Sequence, residues 1–355
     1  MNTIINIKEL NESHCHGGQL NSAVNKYNIP KSEWLDLSTG INPNSYPISD
    51  IPVSVWHRLP ENDDDLLRNA ANYYQCKSVI AVAGSQVAIQ LIPSLFSKAT
   101  VGLIQPGYYE HAKHWAEHNH TVVKFQHKLS HNNNFSLIDD INKKINTLDV
   151  LVIINPNNPT GVCFNKQQLI QWHEILIKRN AYLIIDEAFM DTDQSNTLLS
   201  AELLPNLIVL RSLGKFFGLA GIRVGFVFSN KKILDKISKL QGPWPISGPS
   251  RWLASKALAD TSWQNITRIN LYENSKKLKS LLSHHNLIPS GGSNLFQWVK
   301  TEHAELIFNK LNQNAILTRL FKNPSSLRFG LPKNELQWKK LDDSLERICV
   351  NLIIE

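Results

Sequence analysis

At 355 residues the chain is long for one compact core and reads as two coupled domains. Its 42% hydrophobic and 19% charged residues suit a globular enzyme, and no apolar run approaches the roughly 20 residues that span a bilayer. The formal charge is +7, but the lysines and arginines are dispersed among carboxylates rather than gathered in a basic block, which argues against nucleic acid as a partner.

The chain opens on MNTIINIKELNESHCHGG, which lacks a basic region followed by an apolar stretch, so no signal peptide is expected. Cys15, Cys76, Cys163 and Cys349 are scattered, with no CxxC pair and no metal-ligand spacing, which suits free thiols in the cytoplasm. Short apolar runs then recur at 78–84 (SVIAVAG), 100–105 (TVGLIQ), 150–155 (VLVIIN), 182–186 (YLIID), 207–213 (LIVLRSL) and 224–229 (VGFVFS). Such continuous runs suit strands buried on both faces of a mostly parallel sheet. Helix-like stretches lie between them, for example 86–96 and 166–179, and the alternation predicts an α/β fold. After Phe228 the pattern changes. A helical stretch to Lys239 runs into Gly242-Pro243-Trp244-Pro245, which reads as a hinge. A long helical region over 251–284 and strand-like runs at 295–299 and 326–329 follow. The expected organisation is an N-terminal arm over 1–45 that covers substrate and packs with the small domain, a large domain over 46–240 and a smaller α/β domain over 241–355.

Chemistry concentrates at the ends of these runs. In the segment from Ser212 to Gly225, Lys215 follows a buried run among glycines, with Ser212 three residues before it and Arg223 eight after. Alone, this is either a flexible turn with a surface lysine or an amine facing a cleft, flanked by a hydroxyl and a guanidinium that hold a phosphate. Asp186 closes the run YLIID, where a carboxylate is costly unless a cation meets it; the plainer alternative is a cap or a turn. Asn155-Pro-Asn-Asn-Pro-Thr-Gly161 is a tight turn whatever else it does. Ala83-Gly84-Ser85-Gln86 ends a run and opens a helix, a weak anion-site pattern that is neither a Walker loop nor GxGxxG. Tyr108, in Pro106-Gly-Tyr, offers an aromatic ring for stacking. His111, His114 and His118 fall at helical spacing and read as a solvated helix face rather than a metal site.

The order AGS, PGY, NNPTG, DEA, SxxK and then arginine eight residues on resembles the class I and II aminotransferases, fold type I enzymes of pyridoxal 5′-phosphate (PLP), over nearly the whole chain. The resemblance implies a large cofactor-binding domain with a mostly parallel central sheet and helices on both faces. It also implies a homodimer with active sites near the subunit boundary. Lys215 would hold the cofactor as a Schiff base and later move protons, Asp186 would pair with the pyridine nitrogen, and Asn158 would bond the phenolic oxygen. Tyr108 would stack on the ring. Gly84, Ser85, Ser212 and Arg223 would hold the phosphate, with Gln86 beside them, and Arg328, in SLRFG, would bind the substrate α-carboxylate. Phe189 stands where many relatives carry a tyrosine, and Leu59 stands where relatives reach the neighbouring subunit's phosphate.

Two N-terminal segments narrow the resemblance. His16-Gly17-Gly-Gln and Trp34-Leu-Asp-Leu-Ser38-Thr39-Gly40-Ile-Asn-Pro43 are similar to the branch that decarboxylates L-threonine O-3-phosphate. The histidinol-phosphate aminotransferases, close relatives, usually carry an Asn-Glu-Asn-Pro type of motif there. In that reading Ser38, Thr39 and Gly40 grip the substrate phosphate, Arg319 joins them, Asn158 also touches substrate, and His16 and Gly17 close over it. The expected product is (R)-1-amino-2-propanol O-2-phosphate, for cobalamin. Decarboxylation needs the Cα–carboxylate bond perpendicular to the cofactor ring, and sequence does not fix that angle, so an aminotransferase is the alternative. A catalytically inert sensor of the same fold is the rival from another class.

Overall fold

The computed structural model describes residues 17–61, 64–127 and 135–352. It divides into two compact units. Among the described residues the first comprises Ser45–Asn158 and Val162–Ile266, and the second residues 17–44, Pro159–Gly161 and residues 267–352.

Along the chain, β1 (Leu35–Asp36) belongs to the second unit, and the next seven strands build the sheet of the first. These are β2 (Val79–Val82), β3 (Thr100–Gln105), β4 (Thr121–Gln126), β5 (Val150–Ile154), β6 (Tyr182–Asp186), β7 (Leu207–Ser212) and β8 (Gly225–Phe228). Their order across the sheet is β2-β8-β7-β6-β5-β3-β4. All pairings are parallel except those of β8, which runs antiparallel to both β2 and β7. β5 and β7 are buried at every position. Val150 and Val152 share a core with Ala88, Trp115 and Ile237 from the helices Ser85–Leu91, Tyr109–Glu117 and Lys231–Gln241. Alternate residues of a strand point to opposite faces, so Leu151 and Ile153, equally buried, need cover on the other side. The apolar runs met this requirement in sequence because neither face is left to water. Each large apolar side chain so buried stabilises the fold by roughly 1.5–3 kcal/mol.

The edge strand β4 was not among the expected runs. Its sequence TVVKFQ carries Lys124 and is only partly buried, so it lacks the continuous apolar signature of the inner strands. Where the chain enters β4, β6 and β7, Asn119, Asn180 and Asn206 take left-handed backbone with φ of 61°, 56° and 50°. Asparagine tolerates that conformation better than most residues, and it reverses the chain in one step.

Residues 241–266 sit with the first unit, whereas the sequence reading began the second domain at 241. The reason is packing. Trp263 stacks on Phe217 at 5.7 Å and meets Tyr46 edge-on at 5.2 Å, and Arg251 pairs with Asp64. The expected helical region 251–284 is two helices, Gly248–Ala259 and Thr261–His284, parted at Asp260, whose carboxylate accepts the Trp263 N–H.

The second unit holds an antiparallel sheet in the order β12-β13-β10-β9, formed by β9 (Gly291–Ser293), β10 (Phe296–Lys300), β12 (Arg319–Lys322) and β13 (Ser325–Gly330). A parallel pair joins β1 to β11 (Ile316–Leu317). Ala23 and Trp34 pack there with Ala315 and Leu317. Gly161, at φ 74°, lies against β9 so closely that a Cβ would stand 2.0 Å from the Gly292 carbonyl oxygen. Only glycine fits there, which fixes the end of the NNPTG turn. No helix among the described residues is long and apolar enough to cross a membrane.

Candidate active site

The carboxyl ends of parallel strands are where open α/β sheets gather ligands. In the first unit Gly84 follows β2, Tyr108 follows β3, Asn158 follows β5, Asp186 ends β6 and Ser212 ends β7. Because β8 is antiparallel, its entry lies at the same edge: Gly225 is in register with both Val82 and Ser212. Arg223, just before β8, therefore reaches the same place from the opposite chain direction.

These residues surround one cleft, lined by Ser85, Gln86, Tyr108, Asn158, Asp186, Ser212, Lys215 and Arg223, together with Phe189. Gly84 lies behind Arg223. At φ 81° a Cβ on Gly84 would sit 2.6 Å from an Arg223 guanidinium nitrogen, so glycine leaves the room that the arginine occupies. Gly225 is equally constrained, its would-be Cβ 2.5 Å from the Ser85 backbone nitrogen. Arg223, Ser85 and Ser212 thus line the cleft beside the start of the helix Ser85–Leu91, residue types that suit a phosphate. Arg223 itself takes φ 54° and donates to the Ala220 carbonyl at 3.1 Å.

At the cleft's other functional point Asp186 is only 4% exposed. Its Oδ1 accepts the Ala188 N–H at 3.0 Å and its Oδ2 lies 2.9 Å from His111 Nε2. A buried carboxylate held in this way can face a protonated ring nitrogen. The Lys215 side-chain nitrogen lies over the Phe189 ring at 5.2 Å. The Tyr108 hydroxyl donates to Gln86 Oε1 at 2.9 Å, and Gln86 Nε2 donates to the buried Glu110 at 2.9 Å. An aldehyde with a phosphate arm and a basic ring nitrogen would find an amine, an anion cradle and a carboxylate along this wall.

The expected solvated histidine face is corrected here. His111 and His114 are buried, the first against Asp186 and the second against Glu110 at 3.0 Å, while His118 is exposed. The helix Tyr109–Glu117 is packed into the core through Ala112, Trp115 and Ala116, which leaves these polar groups inside, each with a partner. His111 is the site residue that the sequence reading missed. Its place is the first turn of the helix Tyr109–Glu117, just after Tyr108 at the N-cap. The described residues contain no cluster of histidine, cysteine and carboxylate side chains that could hold a metal.

Behind the cleft, Arg211 and Glu187, the sequence neighbours of Ser212 and Asp186, form a fully buried ion pair at 2.6 Å. Asp191 adds a second carboxylate at 2.8 Å. Burial presses on the guanidinium's charge, but the two carboxylates outweigh it and hold the Arg211 pKa above its ordinary range. Cys163 is exposed, and its sulfur accepts from the Asn196 side-chain amide at 3.7 Å.

In the second unit Arg319 and Arg328 face each other in register on β12 and β13. Arg328 is buried, and its Nη2 donates to the Ser38 carbonyl at 2.7 Å. Burial, with Arg319 beside it, lowers the Arg328 pKa to about 9. Thr39 is half-buried and Gly40 buried. Ser38 differs from expectation. Its hydroxyl donates to Asp36 at 2.6 Å and accepts the Gly18 N–H at 2.8 Å, so its proton is not available to a ligand. Gly17 lies against Ser38, where a Cβ would meet the Ser38 carbonyl oxygen at 2.5 Å. His16 lies outside the described residues, and Leu59 is exposed.

Comparison with known proteins adds three findings. The family model described as aminotransferase class I and II matches residues 54–341. A Pseudomonas aeruginosa protein named threonine-phosphate decarboxylase is 41% identical over 330 residues, 93% of this chain and 96% of that one. A Sinorhizobium protein of the same name is 34% identical over 94% of this chain and 98% of its own length. Among solved structures, the histidinol-phosphate aminotransferase of Clostridium acetobutylicum superposes with a TM-score of 0.77 at 26% identity, covering 89% of this chain and 99% of that one.

Proposed function

The chain belongs to the class I and II aminotransferase family, and from that premise we propose that it is a PLP-dependent decarboxylase of L-threonine O-3-phosphate, releasing (R)-1-amino-2-propanol O-2-phosphate for cobalamin synthesis. The observation that carries this reading is the 41% identity, spread over 93% of the chain, to a protein of that name. The cleft supports it, because its lining fits the cofactor group by group.

PLP, when bound, supplies an electron sink for a bond broken at the substrate α-carbon. Ser85, Ser212 and Arg223, with the backbone at Gly84, would hold its phosphate, and Tyr108, bonded to Gln86, would stack on its ring. Asp186, steadied by His111, keeps the proton on the ring nitrogen. Asn158 donates to the phenolic oxygen. Lys215 would supply the amine that holds the aldehyde, and the same side chain would deliver the proton that replaces carbon dioxide at the substrate α-carbon. Arg328 binds the α-carboxylate and Arg319 the substrate phosphate, so these two guanidiniums set which bond at the α-carbon is presented for cleavage. Thr39, Gly40 and Gly17 complete the substrate contacts. The protein works in the cytoplasm as a homodimer. The free thiols of Cys76 and Cys163 support the first statement, and the exposed Val53, Trp56, Leu59 and Trp244 of the first unit support the second.

The test is to incubate the PLP-loaded protein with L-threonine O-3-phosphate and follow carbon dioxide, and in parallel with L-histidinol phosphate and 2-oxoglutarate while following glutamate. Carbon dioxide together with aminopropanol phosphate is the expected result. Glutamate from histidinol phosphate, with no carbon dioxide from threonine phosphate, would make the protein an aminotransferase.

A further inference from the structure

We propose that Asp36 and Ser38 are positioning residues that tie the glycine pair Gly17 and Gly18 to the Arg328 guanidinium, so that the seating of these glycines and the aim of the arginine are set together. The proposal rests on the reading of Arg328 as a partner of a substrate anion.

Asp36 ends the two-residue strand β1, anchored by its parallel pairing to β11. Its Oδ1 accepts both the backbone N–H of Ser38 at 2.9 Å and the Ser38 hydroxyl at 2.6 Å. A hydroxyl has one proton, and here Asp36 takes it. The hydroxyl oxygen is therefore left as an acceptor, and the Gly18 N–H donates to it at 2.8 Å. The polarity of the chain is thus fixed from the carboxylate outward. Were Asp36 to lose its acceptor oxygen, the hydroxyl could turn its proton toward Gly18 and the contact would become donor against donor.

Ser38 also faces the other way. Its carbonyl accepts from Arg328 Nη2 at 2.7 Å, and Gly17 lies on that same carbonyl with no space for a side chain. Next along, a Cβ on Gly330 would be 2.5 Å from the Thr39 carbonyl oxygen, so β13 is held against the turn at the strand that carries Arg328. Ser38 is 2% exposed, which shields these bonds from water and makes each more directional. One buried serine therefore joins the glycine pair to the arginine that the proposed function gives to substrate. It acts on substrate through Gly17, Gly18 and Arg328.

The experiment uses the full-length holoenzyme and steady-state turnover of L-threonine O-3-phosphate by Ser38→Ala, Asp36→Ala, Asp36→Asn and Arg328→Gln. Ser38→Ala removes the hydroxyl but keeps the carbonyl to Arg328, and Asp36→Asn keeps an acceptor oxygen. Loss of the buried bond should raise KM about fivefold in Ser38→Ala and Asp36→Ala, with kcat within about twofold and the cofactor absorption unchanged, and Asp36→Asn should restore most of the loss. Unchanged KM in both alanine variants, where Arg328→Gln raises it, would overturn the proposal and leave the anion-binding reading standing. A fall in kcat with altered cofactor absorption would also overturn it, because the effect would then lie in the other unit. Unchanged KM in Arg328→Gln removes the premise itself.

Discussion

Arg211 is held between Glu187 at 2.6 Å and Asp191 at 2.8 Å, over the ring of Tyr74 at 4.9 Å, with no exposure of any of the three charged side chains. Thr197 closes the group by donating to Glu187 at 2.7 Å and accepting from Arg211 at 2.9 Å. Removing one partner from a buried ion group leaves uncompensated charge, so Arg211→Met should destabilise the protein by about 3–5 kcal/mol, read as a lower urea midpoint with unchanged slope. Lys215→Ala should instead leave that midpoint near the wild-type value for the apoprotein, because the lysine faces a cleft, and abolish the long-wavelength absorption of the PLP-loaded protein. Residues such as Lys215, Asp186 and Arg223 were legible because motif spacing carries them. His111, Glu110 and the Arg211 group were not, since each is defined by a partner distant in sequence: His111 meets Asp186 across 75 positions. The Ser38 hydroxyl, read as a ligand, bonds Asp36 only two positions away, and the string DLSTG alone does not show that local bond.

Elements join at small polar fasteners. His120, at the entry to β4, accepts the Ala99 N–H on Nδ1 at 3.1 Å and faces the Pro93 carbonyl through Nε2 at 3.0 Å. Only the neutral ring with its proton on Nε2 serves both, and burial lowers its pKa accordingly. A histidine whose folded pKa lies below its unfolded value adds stability above the unfolded value, near 6.5, and loses it as pH falls from there through the folded pKa. Urea midpoints should therefore drop more between pH 7.5 and 5.5 in the wild type than in His120→Asn. Helix starts follow the same logic. Asn230 caps the helix Lys231–Gln241 by accepting the Ile233 N–H at 3.1 Å, and Asn230→Ala should cost about 1 kcal/mol by thermal or urea unfolding. Inner strands were visible as apolar runs because both faces are covered. The edge strand β4 and the short strands β9 and β12 were not, since half-buried or glycine-rich segments look like loops until a neighbour pairs with them.

For the whole molecule, PLP bound to the native state alone should raise stability by about 2.7 kcal/mol at a hundred times its dissociation constant. The thermal midpoint should climb with added cofactor in the wild type and climb less in Arg223→Ala, which loses part of the phosphate cradle. The division into two units was legible in outline, from the alternation of strand and helix and its loss after Phe228. Its position was not. Gly242-Pro243-Trp244-Pro245 looks like a hinge, yet Trp263 and Arg251 hold the following residues to the first unit, and the change of unit falls inside the helix Thr261–His284, which carries no break in sequence. The sheet of the first unit also divides its two edges by task. The residues around the cleft leave or enter strands at one edge, while Asn119, Asn180 and Asn206 turn the chain at the other. The consequence concerns inheritance: the asparagine turns are positions where a lineage can lengthen, shorten or replace connections while the reaction is preserved. Variation at the cleft edge instead tunes the chemistry on an unchanged scaffold.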